Sequence, residues 1–383
     1  MKFYSAIGID RFVWENFFRG HRQGTFVEVG AADGENFSNT LFFERSMAWT
    51  GLRTQAVNLQ TRLEQLRLFD IDYCSYAVRS EGLGILSDLD LERFHTKVLS
   101  IESSLDDPLI VETMQIKGYQ LFAKFERTYI FKRADVKPLP LTSVICAVWH
   151  HDPERHARLC GHVENLSRQS VPVAPIYVFD AGDPIPEWLT ARAISVNEPL
   201  TIYQAWNVAL SLVETPLVMN LNLDDRLAPD AVEFLQSRML REGAIAAGAD
   251  WKVCFTQEET DAVAPCFPAE NLPLAPDWPP KPGTLRRLGN TDLENIHFGP
   301  ATMWRVDAHA RAAPRLPWRL QEGTLLQVCG DLAWWLVLAN VPNAKVLRLP
   351  VIIGNYYSHP TEQAEFRVAD ERPLLFSIGI SIL

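Results

Sequence analysis

The chain has 383 residues, 47% of them hydrophobic and 22% charged, with a formal net charge of −11. That balance predicts a soluble globular protein with material for a real core, and the length predicts more than one domain. An acidic total of this size argues against a generic nucleic-acid binder, which carries a basic stripe. Six cysteines are scattered without a C-x-x-C pair, and Cys146 lies inside the apolar run SVICAVW. The pattern predicts reduced, buried thiols in a cytoplasmic protein, not a disulfide framework or a zinc site. The N-terminal MKFYSAIGIDRFVWENFF carries Asp10, Arg11 and Glu15, so it does not read as a signal peptide. No run of about 18 apolar residues occurs, so no transmembrane segment is expected.

In chain order, the first informative stretch is TFVEVGAADGENFSNTLFFE. A strand-like Phe26-Val27-Glu28-Val29 runs directly into Gly30-Ala31-Ala32-Asp33-Gly34. Glycines at such a strand–helix junction let backbone approach a ligand without a Cβ in the way. Alone, the spacing is equally that of a tight packed turn. With its neighbours, FVEVGAADGENFSNTLFFERSMAWTGL and the later KGYQLFAKFERTYIFKR, it resembles FkbM-type methyltransferases over most of residues 20–133. The resemblance implies a Rossmann-like fold with S-adenosylmethionine on the loop, and Glu28, Gly30, Asp33 and Gly34 as its cofactor-binding residues. Two departures count against catalysis. Gln55 stands where the family has a carboxylate for the ribose hydroxyls, and an amide accepts at one atom only. Ile101-Glu102-Ser103-Ser104-Leu105 stands where the family reads close to I-D-T-E-G. The expectation is a degenerate methyltransferase-like domain over residues 1–136.

Lys137-Pro138-Leu139-Pro140 marks the boundary, since two prolines favour an extended linker, and a new apolar strand begins near Ser143. A second domain is expected over 140–360, with a tail at 361–383. Both halves alternate short apolar strands with amphipathic helical segments, the pattern of an α/β fold. After the strand TSVICAVW comes a helical segment ending ENLSRQSVP, then a strand APIYVFDAGD with Asp180 at its C-terminal end. The helix pattern LTIYQAWNVALSLVETP follows, and then VMNLNLDDRLAPDAVEF. There an apolar run ends in Asp224 and Asp225, two like charges that raise the cost of ionising each other. Either water solvates them or a cation holds them. Carboxylates from two strands would meet at one rim, because ligands of open parallel sheets bind beyond the carboxyl ends of the strands. Pro265 to Pro282 is too proline-rich for regular structure and reads as a long surface loop. His150, His151, Asp152 and His156 resemble a metal set by composition, but HDPERH reads better as a helix start.

The order of these words resembles the family 2 glycosyltransferases over about residues 141–360. SVICAVW stands for S-V-I-I-P-T-Y, SRQSVP for the A-Q-T-Y-P type of word, QAWNVAL for A-R-N-x-G, and LNLDDRLAPD for L-D-A-D-D. The resemblance implies a GT-A nucleotide-sugar-binding fold, so the chain as a whole reads as two Rossmann-like α/β domains. It implies that Asp224 is the main ligand of Mn or Mg, with Asp225 a second ligand and His359 near the metal. It also implies that Asp180 accepts a hydrogen bond from the nucleobase. Asn222 replaces the first acid of the motif, and Arg226 could touch phosphate or pair with a neighbouring acid. In LQVCGDLAWWLVLA, the family's pattern makes Asp331 the general base; a helix N-cap is the bland alternative. Trp206, Trp334 and Trp335 read as core or as sugar platforms.

The function expected is therefore a metal-dependent inverting glycosyltransferase of surface glycan or polysaccharide biosynthesis. Its donor would be a nucleotide sugar, and its acceptor a glycan or lipid-linked glycan, met at the inner membrane face. A bifunctional methyltransferase/glycosyltransferase and a non-catalytic scaffold are the rival readings.

Overall fold

The computed structural model describes residues 1–30, 37–55, 58–78, 90–103, 108–273, 286–288, 300–312, 330–339 and 341–358. Asp33, Gly34, His359 and the 361–383 tail lie outside the described residues. The chain divides into two compact units, Met1–Leu139 and Pro140–Leu383. Both are mixed α/β, each built on its own sheet.

In the first unit, α1 (Ile9–Val13) runs into a π-helical turn at Trp14–Phe18. There follow β1 (Thr25–Val29), α2 (Leu41–Met47), β2 (Thr50–Thr54), α3 (Leu59–Gln65), β3 (Asp70–Val78), β4 (His95–Ser103) and α4 (Pro108–Ile116). A hairpin of β5 (Tyr119–Phe125) and β6 (Thr128–Arg133) ends the unit. The sheet runs β2-β1-β3-β4-β6-β5, parallel from β2 to β4 and antiparallel at β6. Side chains alternate across β1 with the period of a strand. Phe26 packs with Phe42, Phe43 and Trp49, while Val27 and Val29 pack with Leu59, Leu63, Ile110 and Met114. With β2 on one side of β1 and β3 on the other, the switch point of the sheet falls beside the end of β1.

In the second unit the order is β7 (Thr142–Val148), α5 (Arg155–Ser167), β8 (Val173–Phe179), β9 (Arg192–Ser195), α6 (Ile202–Leu210), β10 (Leu217–Asn220), β11 (Arg226–Leu227) and α7 (Ala231–Glu242). Then come β12 (Ala246–Cys254), α8 (Gln257–Asp261), β13 (Phe267–Pro268), β14 (Arg286–Leu288), β15 (Thr302–Arg305), α9 (Val306–Ala312), α10 (Gly330–Ala339) and β16 (Val346–Tyr357). The described strands line up as β11-β16-β12-β15-β10-β7-β8-β9, with β13 on β16 and β14 on β12. From β10 to β9 the neighbours are parallel, whereas β15 lies antiparallel between β10 and β12.

The central strand β7 is buried along almost its whole length, which is why it reads as a continuous apolar run. Its Ile145 faces α6 and α10 through Trp206, Trp334 and Trp335, and its Val144 faces α7 through Leu235 and Met239. The three tryptophans are therefore core residues. Helix α6 starts on a capping box: the Thr201 hydroxyl accepts from Gln204 N, and the Gln204 side chain accepts from Thr201 N. Two local expectations change. The described part of the proline-rich zone is regular in places: Phe267–Pro268 pairs with Val351 and Ile352 of β16, and a 3-10 turn follows at Ala269–Asn271. And β10 stops at Asn220, although Leu221 and Leu223 stay buried beyond it.

Candidate functional site

At the end of β1, Gly30 has a φ of +87°, and a Cβ there would come 2.9 Å from the Ala77 carbonyl oxygen. Its N–H donates to Thr54 O at 2.9 Å. Close packing of three strand ends is thus a sufficient reason for glycine here. Glu28 is 3% exposed, and its carboxylate is already satisfied by four donors. Ser38 Oγ and Thr40 Oγ1 each donate to Oε2 at 2.7 Å, Arg53 Nε donates at 3.2 Å, and Asn39 N donates to Oε1 at 2.9 Å. Arg53 in turn stacks on Phe26 and pairs with Glu44. Glu28, expected at the cofactor, is instead the hub that holds the start of α2 against β1 and β2. Gln55 is exposed at the end of β2.

In the second unit, the ends of β7, β8 and β10 form one rim. Asp180 sits directly after β8 as expected, but it is 2% exposed and its oxygens are committed. They accept from His150 N at 2.9 Å, from His150 Nδ1 at 2.8 Å and from Leu200 N at 3.1 Å. Asp180 therefore ties β7, β8 and the approach to α6 together and has little capacity left for a base. A second clamp lies beside it: Arg155 grips Asp183 through Nε at 2.7 Å and Nη2 at 3.0 Å, and this holds the Asp183 carboxyl below its usual range. Trp149 is 52% exposed at the end of β7, with its ring 5.2 Å from that of His151. Sequence reasoning gave Trp149 no role, and its signal was an aromatic directly after a buried strand.

The acidic turn follows β10. The Asn220 amide donates to Pro300 O at 2.9 Å and accepts from Thr302 N at 3.0 Å, which binds the strand end to β15. Beyond it the two aspartates separate. Asp224 is half-buried and makes no ion pair among the described residues. Asp225 is fully buried; its Oδ1 accepts from Tyr357 N at 3.0 Å, while its Oδ2 has no partner. Burial pushes both carboxyls up, and for Asp225 the neighbouring Asp224 adds to the rise. The Arg158 charge partly opposes it at Asp224. Arg158, on α5, is held by Asp152 at 3.0 Å and Glu154 at 3.1 Å and lies over the Tyr357 ring. Sequence reasoning did not single it out.

Arg226 does not reach the rim. It is 2% exposed, donating from Nη1 to Leu223 O at 2.9 Å and Asp225 O at 2.8 Å, with Nε 2.7 Å from Asp261. Of the two roles open to it from sequence, pairing with an acid is the one the fold uses. Two glycines make room: a Cβ on Gly161 would meet Arg226 Nη2 at 2.5 Å, and one on Gly354 would meet Arg226 O at 2.4 Å. Below it His162 is fully buried, with Nδ1 2.9 Å from Tyr177 Oη and its pKa pushed down to about 3 by burial and the Arg226 charge.

Among the described residues no group of three or more His, Cys, Asp or Glu side chains is arranged to hold a metal. The four-residue turn does offer hard oxygen acceptors: Asp224, the buried and unpartnered Asn222 Oδ1, and the equally unpartnered Asp225 Oδ2. A set of this kind suits Mg²⁺ or Mn²⁺, ions that use one or two carboxylates and fill other positions with water and phosphate. Orphaned buried acceptors need such an explanation. Asp331 lies in the first turn of α10 and is partly exposed, and the Tyr203 hydroxyl is 3.5 Å from its Oδ1. Gly330 leaves space for the Tyr203 ring, which a Cβ would meet at 2.6 Å.

No protein-family model and no curated protein matches the chain. Among solved structures, Staphylococcus aureus TarS residues 1–349 in complex with UDP-GlcNAc is similar at 12% identity and a TM-score of 0.41, over 62% of this chain and 65% of that one. TarS 1–349 without that ligand overlaps 56% of this chain and 60% of its own length, at 11% identity and a TM-score of 0.39. The mannosyltransferase PcManGT from Pyrobaculum calidifontis, in complex with GDP-Man and Mn²⁺, is similar at 11% identity and a TM-score of 0.41, over 63% of this chain and 64% of that one. The chain thus spans less than two thirds of the length of each.

Proposed function

We propose that the C-terminal unit is a metal-dependent inverting glycosyltransferase that uses a nucleoside-diphosphate sugar. The observation that carries this reading is the acidic turn: Asp224 is half-buried and makes no ion pair among the described residues, beside two buried acceptors without partners. Its position favours the same view, since it follows β10 at the switch point between β7 and β10, where an open sheet takes its ligand. Asp224, Asn222 and Asp225 would hold the cation, with Asp224 the principal ligand. A bound divalent ion would neutralise charge on the departing diphosphate.

The chain's own residues do the rest. Trp149 offers an exposed ring on which a nucleobase can stack. Asp331 accepts the proton of the acceptor hydroxyl as its oxygen bonds to the sugar's anomeric carbon and the bond to the diphosphate breaks. The Tyr203 hydroxyl steadies that carboxylate. The acceptor is a glycan or lipid-linked glycan, met in the cytoplasm or at the inner membrane face; no described helix is long and apolar enough to cross a membrane. The N-terminal unit is a degenerate methyltransferase-like domain, a reading supported by the full satisfaction of Glu28.

The test is turnover of a panel of nucleotide sugars with Mn²⁺ by the wild type and Asp224→Ala. The variant is expected to lose about 100-fold or more of the rate, in line with removal of one group that stabilises developing charge. Equal rates for the two proteins reject the reading.

A further inference from the structure

We propose that the group reading the nucleobase is His150, and that Asp180 acts only through it; the inference rests on the nucleotide-sugar reading above. Asp180 cannot itself serve, because it is buried and three donors already occupy its carboxylate. What it presents to the rim is an imidazole. A carboxylate 2.8 Å from Nδ1 keeps the ring's proton on that nitrogen. In the uncharged ring Nε2 is then a bare acceptor. It makes no hydrogen bond among the described residues, and 22% of the side chain is open to solvent.

The ring is also held in place. Its own backbone N–H is bound by the same Asp180, and its centroid lies 3.7 Å from that of His151. The exposed Trp149 precedes it at the end of β7. An acceptor fixed at both ends of its residue, beside an exposed indole, is equipped to choose among flat ligands by hydrogen-bond polarity.

The polarity selects a class. Uracil at N3 and guanine at N1 carry a ring N–H, which a lone pair at Nε2 accepts. Cytosine at N3 and adenine at N1 carry lone pairs there, so acceptor would face acceptor and one buried group would go unpaired. His150 therefore favours uridine and guanosine diphosphates over their cytidine and adenosine counterparts.

Calorimetric titration of the full chain at pH 8 with UDP, GDP, CDP and ADP, each with Mn²⁺, tests this. The wild type should bind UDP or GDP about tenfold or more tightly than CDP and ADP, the scale of one net hydrogen bond. His150→Phe keeps an aromatic ring and should bring the four nucleotides to within about twofold, by weakening UDP or GDP and sparing CDP and ADP. His150→Gln, which restores an oxygen acceptor, should recover part of the preference and guards against a folding defect in the first variant. Preference for CDP or ADP in the wild type overturns the proposal, and so does undiminished discrimination in His150→Phe; either result leaves the glycosyltransferase reading standing. Binding of none of the four overturns both.

Discussion

Two strand ends in this protein carry buried acids, and they are solved in opposite ways. At the end of β1, Glu28 has four donors, one of them the guanidinium of Arg53. In the turn beyond β10, Asp225 Oδ1 accepts from Tyr357 N while its Oδ2 has no partner, and Asn222 Oδ1 has none either. A carboxylate whose lone pairs are filled by its own fold is finished as a structural part. One left incomplete costs free energy until something else completes it. The lesson is that an acid beside a glycine-rich loop is weak evidence for a ligand, whereas an orphaned acceptor beside a half-buried carboxylate is stronger.

The largest expected effect sharpens the contrast from the catalytic side. Asp331→Asn should lower kcat about 100- to 10,000-fold, as loss of a general base does, and leave nucleotide affinity unchanged. An unchanged kcat would mean that Asp331 is not the general base. The next effect is on stability. Glu28→Ala should destabilise the N-terminal unit by about 3 kcal/mol, because it leaves the Ser38, Asn39 and Thr40 donors without their acceptor and Arg53 with Glu44 alone, and nucleotide affinity should be untouched. Chemical denaturation of the full chain followed by hydrogen exchange would locate the loss. A variant as stable as the wild type would break the comparison.

A smaller and opposite effect is expected at Asp225. Its carboxyl is raised in the folded state, so it binds its proton more tightly there than in the unfolded chain. The free energy gained from that is present at low pH and lost as pH rises past the usual carboxylate range. Asp225→Asn should therefore unfold about 2–4 °C higher than the wild type at pH 8 without metal, the shift expected from roughly 1 kcal/mol. The gap should close toward pH 4. A variant less stable than the wild type at pH 8 would mean that the ionised form is already compensated. Smallest of all is the effect of S-adenosylmethionine, which should give no heat of binding with the full chain. Measurable heat would restore the cofactor reading of the Gly30 loop.

Much of the second unit was legible because its strands are buried on both faces. β7, β8 and β10 announce themselves as apolar runs, and the carboxylates after β8 and β10 necessarily emerge at one rim. Helix α6 was equally clear from Ile202, Ala205 and Ala209. What could not be read was how each polar atom is used. Asp180 looked free because its partner His150 is 30 residues earlier, and the bond between them exists only once β7 and β8 lie side by side. Arg226 stayed open between a phosphate contact and pairing with an acid, because a sequence does not say whether a side chain turns in or out. The strand at Phe267–Pro268 forms only because β16 offers it an edge, and no local propensity would place it there. In the first unit, the glycine at position 30 is as well explained by the nearby Ala77 carbonyl as by a cofactor.

Arg226 has an implication for inheritance. Its guanidinium and backbone occupy space that only hydrogen atoms on Gly161 and Gly354 can concede, so three positions spread over nearly 200 residues form one mechanical joint. None of them can drift alone without collision or a hole. Across distant kin the three should change together or not at all, and an engineer who wishes to alter the acidic turn should treat them as a single replaceable part.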